Sequence, residues 1–304
     1  MKRRLTFGPV LIALLLGLMW LDQYLTTLTF PHALSFLAGP DGHGRAGLVL
    51  IFIGLLACGR GGVELARMFR AGGIQASSKS LFFCAAAGLA SGALTIGVHA
   101  PLHLIGGELI GAAAGLALFL TMLAYVRDHD VKGACGAVSA AVLAFTYLGL
   151  MLAFLMAVRR EHSVWLMVLM ILTVKACDSG AYFVGSAIGK RKLIPWLSPG
   201  KTWEGLVGGV LTSTAIGVGL AALGQSWEPM ASWGKLGYLW GGVLGFLLGV
   251  CGQLGDLSAS VLKRDAGIKD AGRILPGFGG LIDMLDSLLI TAPLTYWYFV
   301  LLLG

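Results

Sequence analysis

The chain has 304 residues, of which 57% are hydrophobic and 12% charged, with 46 glycines and a mean hydropathy of +0.84. Stretches of roughly 20 apolar residues recur along it, the length a bilayer demands, which excludes a soluble globular domain. A β-barrel is excluded too, because short alternating strands are missing. The net charge of +7 comes from bases beside apolar segments, so it points to anionic membrane lipids and topology rather than to nucleic acid.

In chain order, Lys2-Arg3-Arg4 precedes an apolar run to about Thr27. That run exceeds a signal-peptide core, contains Asp22 and lacks a small-residue cleavage site, so it is expected as a retained first span. Further spans are expected near 46–64, 80–98, 104–125, 133–158, 163–185, 203–224, 237–262 and 281–303. The expected fold is therefore an all-α polytopic membrane protein of nine helices. Residues 1–160 are read as a scaffold of helices and 161–304 as the catalytic region. Bases crowd into alternate loops, with Arg67, Arg70 and Lys79 in one and Lys190, Arg191, Lys192 and Lys201 in another. The positive-inside rule then places the N-terminus and these loops in the cytoplasm and the C-terminus outside. The expected location is a bacterial cytoplasmic (inner) membrane. Arg159-Arg160 falls on the outer side and breaks the pattern.

Two glycine ladders, Gly107/Gly111/Gly115 and Gly241/Gly245/Gly249, each mark one helix face for close packing. The partner is either another helix of this chain or a second protomer, so a homodimer stands as one expectation. The five cysteines, Cys58, Cys84, Cys135, Cys177 and Cys251, lack paired spacing and read as small core residues. Among charges in apolar runs, Glu64 is expected to pair locally with Arg60 or Arg67, and Lys175 with Asp178. Asp22 and Glu108 have no evident partner.

The first charge-dense stretch runs from Asp178 to Lys192 and on through Ser198-Pro199-Gly200-Lys201-Thr202-Trp203-Glu204-Gly205. It lacks the glycine spacing and strand–helix context of a P-loop. It reads instead as a loop whose lysine and hydroxyls hold phosphate, closed by Thr202 and Glu204 at the start of a span. The second stretch, Asp256 to Asp286, packs five acids and four bases between two apolar segments. Asp256, Ser260 and Lys263 share a helix face at i, i+4 and i+7, and Asp283 and Asp286 share one at i and i+3. Between them Pro276-Gly277-Phe278-Gly279-Gly280 breaks the helix and allows close backbone approach. Carboxylate pairs, cations and a glycine turn are what a site for Mg²⁺ and phosphate requires.

The run from Ser260-Val261-Leu262-Lys263-Arg264 through Lys269-Asp270 to Leu275-Pro-Gly-Phe-Gly-Gly-Leu-Ile-Asp283-Met-Leu-Asp286 resembles the signature of the phosphatidate cytidylyltransferases. Ser198 to Gly205 and Asp178 are similar to the same family, so the likeness covers about the C-terminal half. Two positions depart from it, Phe278 where the family usually has His and Met284 where it has Arg. The resemblance implies an integral membrane enzyme joining CTP and phosphatidic acid into CDP-diacylglycerol and pyrophosphate. It implies Mg²⁺ held by Asp256, Asp283 and Asp286, and a second cation such as K⁺. Lys263 joins these acids as a catalytic residue. Substrate contacts are then expected from Asp178, Ser198, Lys201, Thr202, Glu204, Ser260, Arg264, Lys269, Asp270, Arg273, Gly279 and Gly280. Two other readings, a different membrane lipid transferase or an ion-coupled transporter, lack the aspartate motifs or inverted repeats each would need.

Overall fold

A computed structural model describes residues 2–29, 44, 46–96, 106–127, 133–228, 231–272 and 279–303 of the protein. Helices α1 (Lys2–Leu25), α2 (Leu48–Ala71), α3 (Ser78–Thr95) and α4 (Gly106–Arg127) are followed by a broken rod. This rod is α5 (Ala134–Leu143), a π-helical segment (Ala144–Leu150) and α6 (Met151–Glu161). Helix α7 (Val164–Ile188) leads into a small hairpin, β1 (Lys192–Ile194) and β2 (Ser198–Thr202). Helices α8 (Trp203–Ser226), α9 (Ala231–Asp265) and α10 (Leu281–Leu303) complete the described chain. The all-α membrane class expected from sequence holds. Among the described residues, seven of these rods are long and apolar enough to cross a bilayer. The described residues do not establish the expected count of nine, and α3, which opens on the polar run Ser78-Lys79-Ser80, is not among the seven.

The chain divides into two compact units, Met1–Val164 with Ala271–Leu281, and Trp165–Asp270 with Ile282–Gly304. Gly279 and Gly280, just before α10, cluster with the first unit.

In the first unit α3 lies against the π-helical segment backbone to backbone. A Cβ on Gly88 would strike the Phe145 carbonyl oxygen, and one on Gly149 would strike that of Ala85. Asp22 is wholly buried, and its partners explain how a charge is tolerated there. Its carboxylate accepts from the amides of Gly47 and Val49, both at 3.1 Å, and so caps the N-terminus of α2 from a neighbouring helix. Gly47 has φ 91°, a left-handed turn, and offers no side-chain cap of its own. Arg159 Nε completes the site with an ion pair to Asp22 at 2.8 Å, and its Nη2 reaches Gln23 Oε1 at 3.1 Å. Arg160 donates to the carbonyls of Ala93 and Ile96 at the C-terminus of α3. Both bases that break the loop-charge pattern are therefore consumed inside the protein. The other expected local pair is present as well, with Arg60 Nε 3.4 Å from Glu64 Oε1.

The two glycine ladders part company. On α9, a Cβ on Gly241 would press on Ala221, one on Gly245 on the Ser213 carbonyl, and one on Gly249 on the Ser213 hydroxyl. This ladder packs within the chain, against α8, where small residues let two backbones approach. On α4, Gly107, Gly111 and Gly115 have nothing within 4 Å of an added Cβ. Helix α9 itself is interrupted at Gly237, whose φ of 72° is non-helical.

Candidate active site

Within the second unit, the charged side chains of α7, the hairpin, α9 and α10 converge. The hairpin is set by an Ile194–Leu197 turn, in which Leu197 N donates to Ile194 O at 3.2 Å with Pro195 at its first corner. The strands pair antiparallel with Lys192 opposite Thr202. Thr202 ends β2 as the N-cap of α8, its Oγ1 accepting from Gly205 N at 3.1 Å. Glu204 accepts from the amides of Lys190 and Arg191 at 3.1–3.2 Å. These two residues, expected as substrate contacts, hold the loop's own backbone. Gly189 and Gly205 have no room for a Cβ beside the Thr202 hydroxyl, which accounts for glycine at both.

Locked in this way, β2 carries Lys201 to α9, where Nζ lies 2.8 Å from Asp256 Oδ2 and 3.4 Å from Gln253 O. Gln253 Nε2 in turn donates to Asp178 Oδ1 at 3.0 Å. The other Asp178 oxygen is 3.4 Å from Lys175 Nζ, the pair expected from their helical spacing. On α10, Asp283 Oδ1 is 2.6 Å from Lys263 Nζ of α9. Asp286 is buried, with Oδ1 accepting from Ser287 N at 2.6 Å and Ser287 Oγ at 3.1 Å. The carboxyls of Asp256 and Asp286 face one another as interacting neighbours. Gly255 makes this approach of α9 to α10 feasible, since a Cβ there would meet the Asp286 carbonyl oxygen.

Six expected residues, Asp178, Lys201, Asp256, Lys263, Asp283 and Asp286, thus lie in one charge network. Among the described residues no three acids, histidines or cysteines gather into a ligand set. Asp283 is paired with Lys263 and Asp256 with Lys201, and the Asp256 and Asp286 carboxyls interact with each other. Two carboxyls are enough for Mg²⁺, which takes one or two of them and completes its shell with water and substrate phosphate. The donor set fits that ion.

Arg264 donates to the carbonyl of Leu197 at 3.2 Å and ties the end of α9 to the hairpin. Ser198 and Ser260 are half-buried, while Lys269 and Asp270 are exposed. Gly279 is left-handed with φ 84°, and Gly280 is buried in the first unit. Arg273 and Phe278 lie outside the described residues. Sequence reading missed Gln253, which joins Lys201 to Asp178. Its one available signal was a polar residue one turn before Asp256 in an apolar helix.

Comparison with known proteins gives the family. Residues 44–302 match the model of the Cytidylyltransferase family. The chain is 37% identical over 142 residues to a phosphatidate cytidylyltransferase of Haemophilus influenzae, covering 46% of this chain and 48% of that protein. It is 34% identical over 186 residues to the phosphatidate cytidylyltransferase of Bacillus subtilis, covering 60% and 65% respectively. It is also 41% identical over 136 residues to the uncharacterized protein YnbB of Escherichia coli, covering 44% and 42%. The matched stretch thus spans from under half to about two thirds of these relatives' length. With the family model spanning most of the sequence, the site-bearing half included, the chain belongs to the cytidylyltransferase family.

Proposed function

We propose that this protein is a phosphatidate cytidylyltransferase. It moves the cytidylyl group of CTP onto phosphatidic acid, giving CDP-diacylglycerol and pyrophosphate. One observation carries the reading: facing carboxyls on α9 and α10 with a lysine held beside each helix, at 2.8 Å and 2.6 Å. That is an arrangement for polyphosphate and divalent cation.

An oxygen of the lipid phosphate attacks the α-phosphorus of CTP, a P–O bond forms there, and the bond to the bridging oxygen of pyrophosphate breaks. The nucleophile is already an anion, so no strong base is required. The first barrier is repulsion between two anions. Lys201 and Lys263 carry fixed positive charge to offset it, and their acid partners hold both ammonium groups in place before substrate arrives. Gln253 and Lys175 orient Asp178 at the same end of the network. Asp256 and Asp286 would hold Mg²⁺, which when bound neutralises phosphate charge and stabilises the leaving pyrophosphate. The lysine-rich hairpin and the bases of the α9 end suit a cytoplasmic interface, where water-soluble CTP meets a lipid whose chains stay in the membrane. That orientation puts the N-terminus inside.

The test is turnover of purified protein in mixed micelles with CTP, phosphatidic acid and Mg²⁺. Equimolar pyrophosphate and CDP-lipid are expected. Consumption of a CDP-lipid and a free alcohol, or ion flux without CTP turnover, would replace the reading.

A further inference from the structure

The acid most completely buried near the glycine turn is one that the reaction above does not use. Glu64 on α2 is 2% exposed. An i,i+4 pair with Arg60, itself 45% exposed, accounts for only part of its carboxylate. Its Oε1 also accepts from the backbone amide of Leu281, 217 residues on, at 3.0 Å. Leu281 is the first residue of α10. A carboxylate there satisfies one of the orphan amides of a helix start and complements its dipole.

The glycines around it are fitted to this carboxylate. A Cβ on Gly272 would collide with Glu64 Oε1, and one on Gly280 would lie 2.5 Å from Oε2 and 2.5 Å from Gly272 N. The stretch leaving α9 and the stretch entering α10 are therefore pinched together around a single side chain. All the groups involved, Glu64, Gly272, Gly280 and Leu281, belong to the same compact unit. Asp283 stands two residues beyond Leu281 and Asp286 three residues beyond that.

We infer that Glu64 is a positioning residue for the cytidylyl transfer, the clasp that holds Gly272 and Gly280 together at the first residue of α10. This rests on the function proposed above, and it extends the working part of the protein into its N-terminal half. Glu64 touches no reacting atom. It acts through the backbone at Gly280 and Leu281, so its loss should lower kcat far more than it raises KM for CTP.

The test uses the full chain in detergent or nanodiscs, with Glu64→Gln, Glu64→Ala and Gly272→Ala. Glu64→Gln keeps the shape and one acceptor oxygen and guards against a variant that fails to fold. Hydrogen exchange at residues 279–281 is read beside kinetics, because it reports the clasp whether or not the enzyme turns over. Exchange there should accelerate in all three variants, and kcat should fall roughly 10–100-fold in Glu64→Ala with less loss in Glu64→Gln, as expected for a small misplacement of reacting groups. Unchanged exchange at 279–281 in Glu64→Ala overturns the inference, and so does accelerated exchange with kcat intact. A wild-type protein inactive with CTP and phosphatidic acid but clasped by exchange would sink the function and leave the clasp standing.

Discussion

Two aspartates in apolar helices, Asp22 and Asp256, show opposite ways for a membrane protein to carry a negative charge. Asp22 is 0% exposed and meets two backbone amides and an arginine. Every strong acceptor direction is spent on the protein itself. Asp256 is 34% exposed, has one lysine at 2.8 Å, and faces a second carboxyl. Its side chain stays partly open to further partners. An ionisable residue inside a membrane segment is a functional candidate by default, and the difference here refines that rule. A saturated acid is a fastener, and an acid with room for further partners is a site.

Three substitutions press on that contrast, and a fourth serves as their control. The largest effect is expected from Asp256→Asn, which should cut turnover by about 10²–10³-fold or more, the scale of losing a key electrostatic contact in the transition state. Its thermal unfolding in detergent should shift little, since a partly exposed pair contributes little stability. A collapse of stability with turnover per folded molecule intact would place Asp256 with Asp22. The converse variant, Asp22→Asn, strands Arg159 in an apolar interior and should cost on the order of 3–5 kcal/mol. Here the folded fraction should keep its turnover, so activity normalised to folded protein is the deciding measurement. The smallest effects separate the glycine ladders. Gly245→Ala forces a methyl into the Ser213 carbonyl and should destabilise by about 1–3 kcal/mol. Gly111→Ala, with open space around it, should be neutral or stabilising by at most about 1 kcal/mol. Equal shifts in the two would mean that α4 is also closely packed.

The same contrast explains how much of the molecule is legible in its sequence. Spacing exposed the helix face of Asp256, Ser260 and Lys263, and the Lys175–Asp178 pair, because local partners lie within one or two turns. The membrane class followed from composition alone. Thr202 and Glu204 were visible as the closing residues of a loop, but a capping oxygen and a phosphate contact look alike in sequence. Their commitment to Gly205, Lys190 and Arg191 depends on the fold of the hairpin. Asp22 had no legible partner because Arg159 lies 137 residues away. Glu64 was legible only as half of a local pair with Arg60. The two glycine ladders share one spacing and differ wholly in surroundings, since periodicity names a face and not what lies against it.

The seven-residue π-helical stretch between α5 and α6 sets the phase of the rod it interrupts. Each residue of an ordinary helix turns the chain by about 100°, and a wide turn absorbs one extra residue without lengthening the rod by a full step. Arg159 looks toward Asp22 only because that surplus is stored upstream. A one-residue deletion anywhere in 144–150 would leave every apolar residue of the rod still apolar, yet swing the guanidinium round to a different neighbour. The electrostatics of the first unit are thus keyed to a miscount in a helix.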